Sequence, residues 1–186
     1  MAENHRFIVL SVPKLEVLKR AEILLKNEAR VRGTTVGWTL YLLVNEAADV
    51  DSYPGKLRRR LKHVRDAADA QCSESLKRSF GGRTKPASES AVSGRDSTYR
   101  IQFATPECYL VVRTILAYEA AIRGLTVSQA ACRLVEKAAE PCTYPANARS
   151  ELDRVDRELS ARAAGASMEV LEGSRENGNP GKGPRR

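Results

Sequence analysis

The sequence predicts a mainly α-helical protein with a short two-stranded antiparallel β-ribbon, built twice over in one chain. Three observations predict it. A stretch of chain recurs at a fixed spacing. Each copy opens on a short run of alternating pattern, closed by proline and followed by helical periodicity. The composition is also helical in character. Hydrophobic residues make up 42% of the 186 residues and aromatics only 5%, so Leu, Val, Ile and Ala must build the core.

The recurrence is plainest over Glu28-Ala29-Arg30-Val31-Arg32-Gly33-Thr34-Thr35-Val36 and Glu119-Ala120-Ala121-Ile122-Arg123-Gly124-Leu125-Thr126-Val127. It continues through Leu43-Val44 with Leu134-Val135, Ala47-Ala48 with Ala138-Ala139, and Tyr53-Pro54 with Tyr144-Pro145. These pairs stand 91 residues apart along the numbering. Upstream, Ile8 with Ile101 and Pro13 with Pro106 stand 93 apart, so the sequence places a two-residue length difference in the first helix. Shared Gly, Pro and Tyr mark turns, which generic Ala-rich helix would not hold in register.

Each copy has the same predicted elements. A strand covers Arg6 to Val12, and its copy Tyr99 to Thr105. Pro13 and Pro106 mark the change from strand to helix, because proline is tolerated in a first helical turn. A long helix follows over 14–32 and 107–123, ended by Gly33 and Gly124 as C-cap glycines. Thr35 and Thr126 are N-caps of a second helix. That helix puts Val36, Leu40, Leu43, Val44 and Ala47 on one face, and in the copy Val127, Ala131, Leu134, Val135 and Ala138. A third helix opens after each Tyr-Pro. Its apolar stripe is Leu57, Leu61, Val64 and Ala68, or Ala148, Leu152, Val155 and Leu159.

The predicted organisation is a first unit over 1–72, a Ser/Gly/Lys/Arg-rich flexible linker over 73–97, a second unit over 98–164 and a disordered tail over 165–186. A lone strand has unsatisfied edges. Two in one chain can pair antiparallel while four helices close one interlocked core.

At this point the sequence resembles the ribbon-helix-helix superfamily of MetJ/Arc type. The matching features are the short strand, proline, a helix, Gly-x-Thr-Val and a second helix with Leu-Val near its middle. Segments Arg6–Ala48 and Tyr99–Ala139 carry the resemblance. A tandem copy in one chain is similar to a smaller subset, which includes the VirC-type accessory protein of T-DNA transfer. The resemblance implies an intramolecular pseudo-dimer with one extra helix per copy. It also implies a ribbon that enters the major groove of double-stranded DNA, where a two-stranded β-ribbon fits. Side chains alternate across a strand. With Tyr99, Ile101 and Phe103 inward, Arg100, Gln102 and Ala104 face the groove, and Arg and Gln suit guanine and adenine. With Ile8, Leu10 and Val12 inward, Phe7, Val9 and Ser11 face out. Apolar side chains there can meet thymine methyls or another protein, so recognition within one chain is expected to be asymmetric. Arg6 adds a backbone contact. Thr35, Val36 and Gly37, with Thr126, Val127 and Ser128, match the family's phosphate clamp, where free amides and the helix dipole favour an anion.

The third helices differ in charge. Lys56, Arg58, Arg59, Arg60, Lys62 and Arg65 give six basic residues and no acid over 56–65. Arg58, Arg59, Arg60 and Lys62 are therefore candidates for sequence-independent phosphate contact. The copy mixes Arg149, Glu151, Asp153, Arg154, Asp156, Arg157 and Glu158. The formal charge of +8 fits a polyanionic partner.

Other classes find little support. The four cysteines (Cys72, Cys108, Cys132, Cys142) form no C-x-x-C, and His5 and His63 are the only histidines, so no zinc site or cofactor is expected. No Gly-rich phosphate loop or Ser/His/Asp order suggests an enzyme. No apolar run approaches the roughly 20 residues of a membrane span, and no leader is visible. A reducing cytoplasm is expected. Within duplex binding, a transcriptional regulator and an accessory factor of plasmid or T-DNA processing, transfer or partition stay open, with partner proteins in the second case. The chain is expected to be a monomer with an internal pseudo-two-fold, able to self-associate on DNA. The rival expectation is a non-catalytic helical interaction module whose ribbon only pairs the two copies.

Overall fold

A computed structural model describes residues 6–79 and 98–176. The protein is mainly helical, with one short two-stranded antiparallel sheet. The elements are β1 (Phe7–Ser11), α1 (Leu15–Val31), α2 (Val36–Ala47), a 3-10 turn at Val50–Ser52, and α3 (Gly55–Ser79). They continue with β2 (Thr98–Gln102), α4 (Pro106–Arg123), α5 (Val127–Ala138), a 3-10 turn at Pro141–Thr143, and α6 (Ala146–Glu176). No described helix is long and apolar enough to cross a membrane.

The strands pair in one register: Phe7 with Gln102, Ile8 with Ile101, Val9 with Arg100, Leu10 with Tyr99, Ser11 with Thr98. The Phe103 amide donates to the Arg6 carbonyl at 2.9 Å and extends the ladder by one step. Ile8, Leu10, Tyr99 and Ile101 point inward and are buried. Val12 and Phe103, just past the strands, are buried with them.

Spacing corrects one sequence expectation. Every element of the second half begins 91 residues after its counterpart: Phe7 and Thr98, Leu15 and Pro106, Val36 and Val127, Val50 and Pro141, Gly55 and Ala146. The expected two-residue difference in the first helix is absent. Burial fixes the alignment: Ile8, Leu10 and Val12 take the places of Tyr99, Ile101 and Phe103. The prolines are not counterparts. Pro106 is the first residue of α4 under a Thr105 cap, whereas Pro13 precedes the uncapped, extended Lys14.

The helix ends obey local chemistry. Gly33 and Gly124 hold φ of 62° and 63°, a left-handed conformation costly for a residue with a Cβ. Thr34 and Leu125 then donate back to the Ala29 and Ala120 carbonyls, both at 2.9 Å, closing the two ends alike. Two expected boundaries move. The segment expected as linker from 73 is helical to Ser79, and the tail expected from 165 is helical to Glu176. Glu74, Leu76 and Lys77, and then Met168, Glu169, Leu171 and Glu172, are favourable in helices. The remainder of both segments, 80–97 and 177–186, lies outside the described residues.

One continuous core draws on every long element. α2 packs on α5, while the third helices cross over: α3 lies on α4 and α6 on α1. Val127 departs from its expected core position and is exposed, as the first residue of α5.

Each crossing is closed by a buried glutamate. Tyr53, ahead of α3, donates its hydroxyl to Glu119 of α4 at 2.7 Å, and Arg123 donates to the other oxygen at 2.8 Å. Reciprocally, Tyr144 donates to Glu28 of α1 at 2.8 Å, joined by the Glu140 amide at 2.7 Å and Arg32 at 2.8 Å. Glu28 and Glu119 are only 2% and 3% exposed. Burial alone would raise their pKa values; the donated hydrogen bonds outweigh it and hold both carboxyls below the usual range. Tyr53 and Tyr144 are pushed up, by burial and by those carboxylates.

A depressed carboxyl stabilises the fold fully above its unfolded pKa, about 4.3 for glutamate, and loses that contribution as pH falls through the folded value. Thermal unfolding followed from pH 7 downward should therefore show a loss of stability beginning near about pH 4.3. E28Q and E119Q should each flatten that acid limb. Y53F and Y144F should each cost about 1.5–3 kcal/mol at neutral pH, the range for a hydrogen bond to a charged partner.

Candidate nucleic-acid interface

The outer face of the ribbon is assembled by period-two alternation. Phe7, Val9 and Ser11 come from β1, and Thr98, Arg100 and Gln102 from β2. Arg100, Gln102, Val9 and Ser11 are exposed, Val9 to 46%. Phe7 and Thr98 are half-buried. The register makes Val9–Arg100 the central pair, with Phe7–Gln102 at one end and Ser11–Thr98 at the other. The Arg100 guanidinium carbon lies 3.4 Å above the centroid of the Phe7 ring. Arg100 and Phe7 are diagonal neighbours, a separation long side chains reach.

Thr98 belongs to this face although the sequence reading omitted it. The Arg100–Gln102 alternation, stepped back by two, would have found it. Ala104 was expected on the face and does not belong to it. β2 ends at Gln102, and Ala104 sits on a bend leading to the Thr105 cap. Its carbonyl accepts from Arg6 Nη1 at 3.4 Å, which ties Arg6 to the ribbon's end.

A helix begins at each end of the ribbon. Thr35 caps α2 by accepting from the Trp38 amide at 3.3 Å. Thr126 caps α5 through a reciprocal pair with Gln129, at 3.2 and 2.9 Å. Each cap takes the third amide. The first two, of Val36 and Gly37 or of Val127 and Ser128, have no acceptor within the helix. They carry the positive end of the helix dipole.

Docking differs at the two ends. At Gly37 a Cβ would collide with the backbone carbonyl of Gln102, so only glycine lets α2 come this close to β2. At the other end Ser128, buried, accepts the Ser11 amide on its hydroxyl at 2.9 Å. The sequence expected Thr35–Gly37 and Thr126–Ser128 to act together as anion sites. The structure puts both triplets beside the ribbon, with the Gly37 Cα and the Ser128 hydroxyl engaged in docking the strands.

Arg58, Arg59, Arg60 and Lys62 are exposed on α3 and do not join this group. Arg58 Nη1 donates to the Asp51 carbonyl at 3.2 Å and Arg59 Nε to the Gly55 carbonyl at 3.3 Å. α3 starts beside Glu119, late in α4, and reaches Tyr41 through Asp69 at 2.6 Å. The basic residues thus lie exposed along the first turns of α3, a helix that packs on α4. Cys108 and Cys132 are buried thiols, and burial raises Cys132 to about 11. They are packing residues.

Replacing Gly37 by Ala should force α2 off β2. The expected cost is about 1–3 kcal/mol, read by denaturant unfolding, with the largest amide chemical-shift changes at Gln102 and Phe103. Ser128→Ala should cost about 0.5–1.5 kcal/mol and perturb Ser11 at the opposite end. Against known proteins, no family model, curated protein or solved structure matches the chain, so the functional reading rests on these residues.

Proposed function

We propose that this chain is a double-stranded-DNA-binding protein of ribbon-helix-helix architecture. One polypeptide supplies both strand-helix-helix units as an intramolecular pseudo-dimer, and the ribbon enters the major groove. The observation that carries this reading is the outer face itself. It presents Arg100 and Gln102, and a capped helix N-terminus stands at either end. A two-stranded ribbon fits a major groove, and Arg and Gln carry the bidentate donors and acceptors that distinguish guanine and adenine. Helix N-termini are natural phosphate sites, and one stands beside each end of the strand pair, which supports this reading. The role is binding without catalysis. It suits a transcriptional regulator or an accessory factor of plasmid or T-DNA processing, the latter working with partner proteins. The basic turn of α3 is assigned to sequence-independent phosphate contact.

One observation favours a second reading, a protein-interaction module. Val9, at the centre of the outer face, is apolar and exposed. A partner protein could cover it.

Fluorescence anisotropy on a pool of random duplexes, at increasing salt, separates the two. Duplex binding should weaken linearly with salt on logarithmic axes. R100A and Q102A should each reduce discrimination between preferred and altered sites by about 1–3 kcal/mol. Replacing Arg58, Arg59 and Arg60 by Ala should weaken binding about equally on all sequences and reduce the salt slope by roughly one per lost phosphate contact. Absence of binding even at low salt would reject the duplex reading in favour of the interaction module.

A further inference from the structure

We propose that Phe7 is a platform that sets Arg100 for one guanine, so that the chain reads a duplex in a single orientation through the Phe7–Gln102 end of its ribbon. This rests on the duplex-binding reading, already expected to be asymmetric, and adds to it a positioning residue and the end of the ribbon that sets the direction. The sequence alone suggested Phe7 as a base contact. The geometry gives it a different part.

The Arg100 guanidinium carbon stands 3.4 Å from the Phe7 ring centroid, the contact distance of a group lying on an aromatic face. All five guanidinium N–H donors lie in its plane. A ring covering the flat face therefore restrains the fork without occupying a donor. Among the described residues no hydrogen bond or ion pair engages that guanidinium, and Arg100 is exposed, so its donors are open to a ligand. Guanine O6 and N7 accept such a planar fork. An exposed arginine otherwise loses rotamer freedom when it binds, and a side chain already oriented loses less.

The other end of the ribbon cannot repeat the device. At the 91-residue spacing, Phe7 corresponds to Thr98 and Arg100 to Val9. The Ser11–Thr98 end shows two small hydroxyl residues and no arginine. A symmetric pair of identical strands would present the same fork twice; this ribbon presents it once. Two glutamine or arginine forks related by symmetry would demand a palindrome, whereas a single fork beside Gln102 demands a site with a direction.

The test starts with selection of bound sequences from random duplexes by the full chain. The expected site is non-palindromic, with one position where a G·C pair is preferred about five- to hundred-fold over A·T. R100A should abolish that preference. F7L, which keeps apolar bulk but no aromatic face, should lower it about two- to five-fold, while F7Y keeps it. F7L on top of R100A should cause no further loss of that preference. In the free protein, Arg100 side-chain protons should show upfield ring-current shifts in NMR that F7L removes and F7Y retains. A palindromic site, an unchanged preference in F7L, or independent losses from F7L and R100A would overturn the proposal. If the ring-current shift is present but no duplex binds, the duplex reading fails and the guanine assignment falls with it. Absence of the shift would overturn the stack itself.

Discussion

Everything in this protein depends on the pairing of two five-residue strands from opposite halves of the chain. A strand of that length has no independent existence, because its backbone donors and acceptors need a partner. Pairing Phe7–Ser11 with Thr98–Gln102 satisfies them and creates one inner face, where Ile8, Leu10, Tyr99 and Ile101 seal the top of the core. It also decides which residues stand together outside. Val9 meets Arg100 only because the register is what it is, and a slip of one residue would turn every outward side chain inward.

The helices reinforce the same joining. α3 lies on α4 and α6 on α1, so each half is completed by the other's last helix. Glu28 and Glu119 bind these crossings with tyrosines from across the core. A carboxylate placed in an apolar core costs several kcal/mol unless its oxygens are occupied. Here arginine, tyrosine and, for Glu28, a backbone amide occupy them. These contacts favour one arrangement of the two halves over any sliding of one against the other, because a displaced tyrosine would leave a buried charge unsatisfied.

Much of this was legible in the sequence because it is local. Alternation revealed which strand residues point in or out. Gly33, Gly124, Thr35 and Thr126 declared the helix ends, since a left-handed cap and a hydroxyl cap each need a particular residue. Matching Ile8 with Ile101 and Pro13 with Pro106 was misleading. The error was a shift of two, one full strand period, so the inward and outward assignments survived it. Other features depend on long-range geometry that no local pattern encodes. The crossing of α3 and α6 is one. The collision that demands glycine at position 37 is another. The Phe7–Arg100 stack needs the register, which identical letters alone do not supply. Ala104 was misplaced because the strand stops where the chain must bend toward the Thr105 cap.

The equal 91-residue spacing also constrains how the protein comes into being. When the ribosome has finished β1, α1, α2 and α3, none of their permanent neighbours in β2, α4, α5 or α6 exists. At about 5–20 residues per second, the first half waits roughly 5–18 s with Leu10, Leu24, Leu40 and Leu61 lacking their final surroundings. α1 can meet α2 in that interval, but the ribbon and the interlocked core can close only once β2 and the helices after it have been made. A nascent chain stalled before Tyr99 would be a natural client for chaperones.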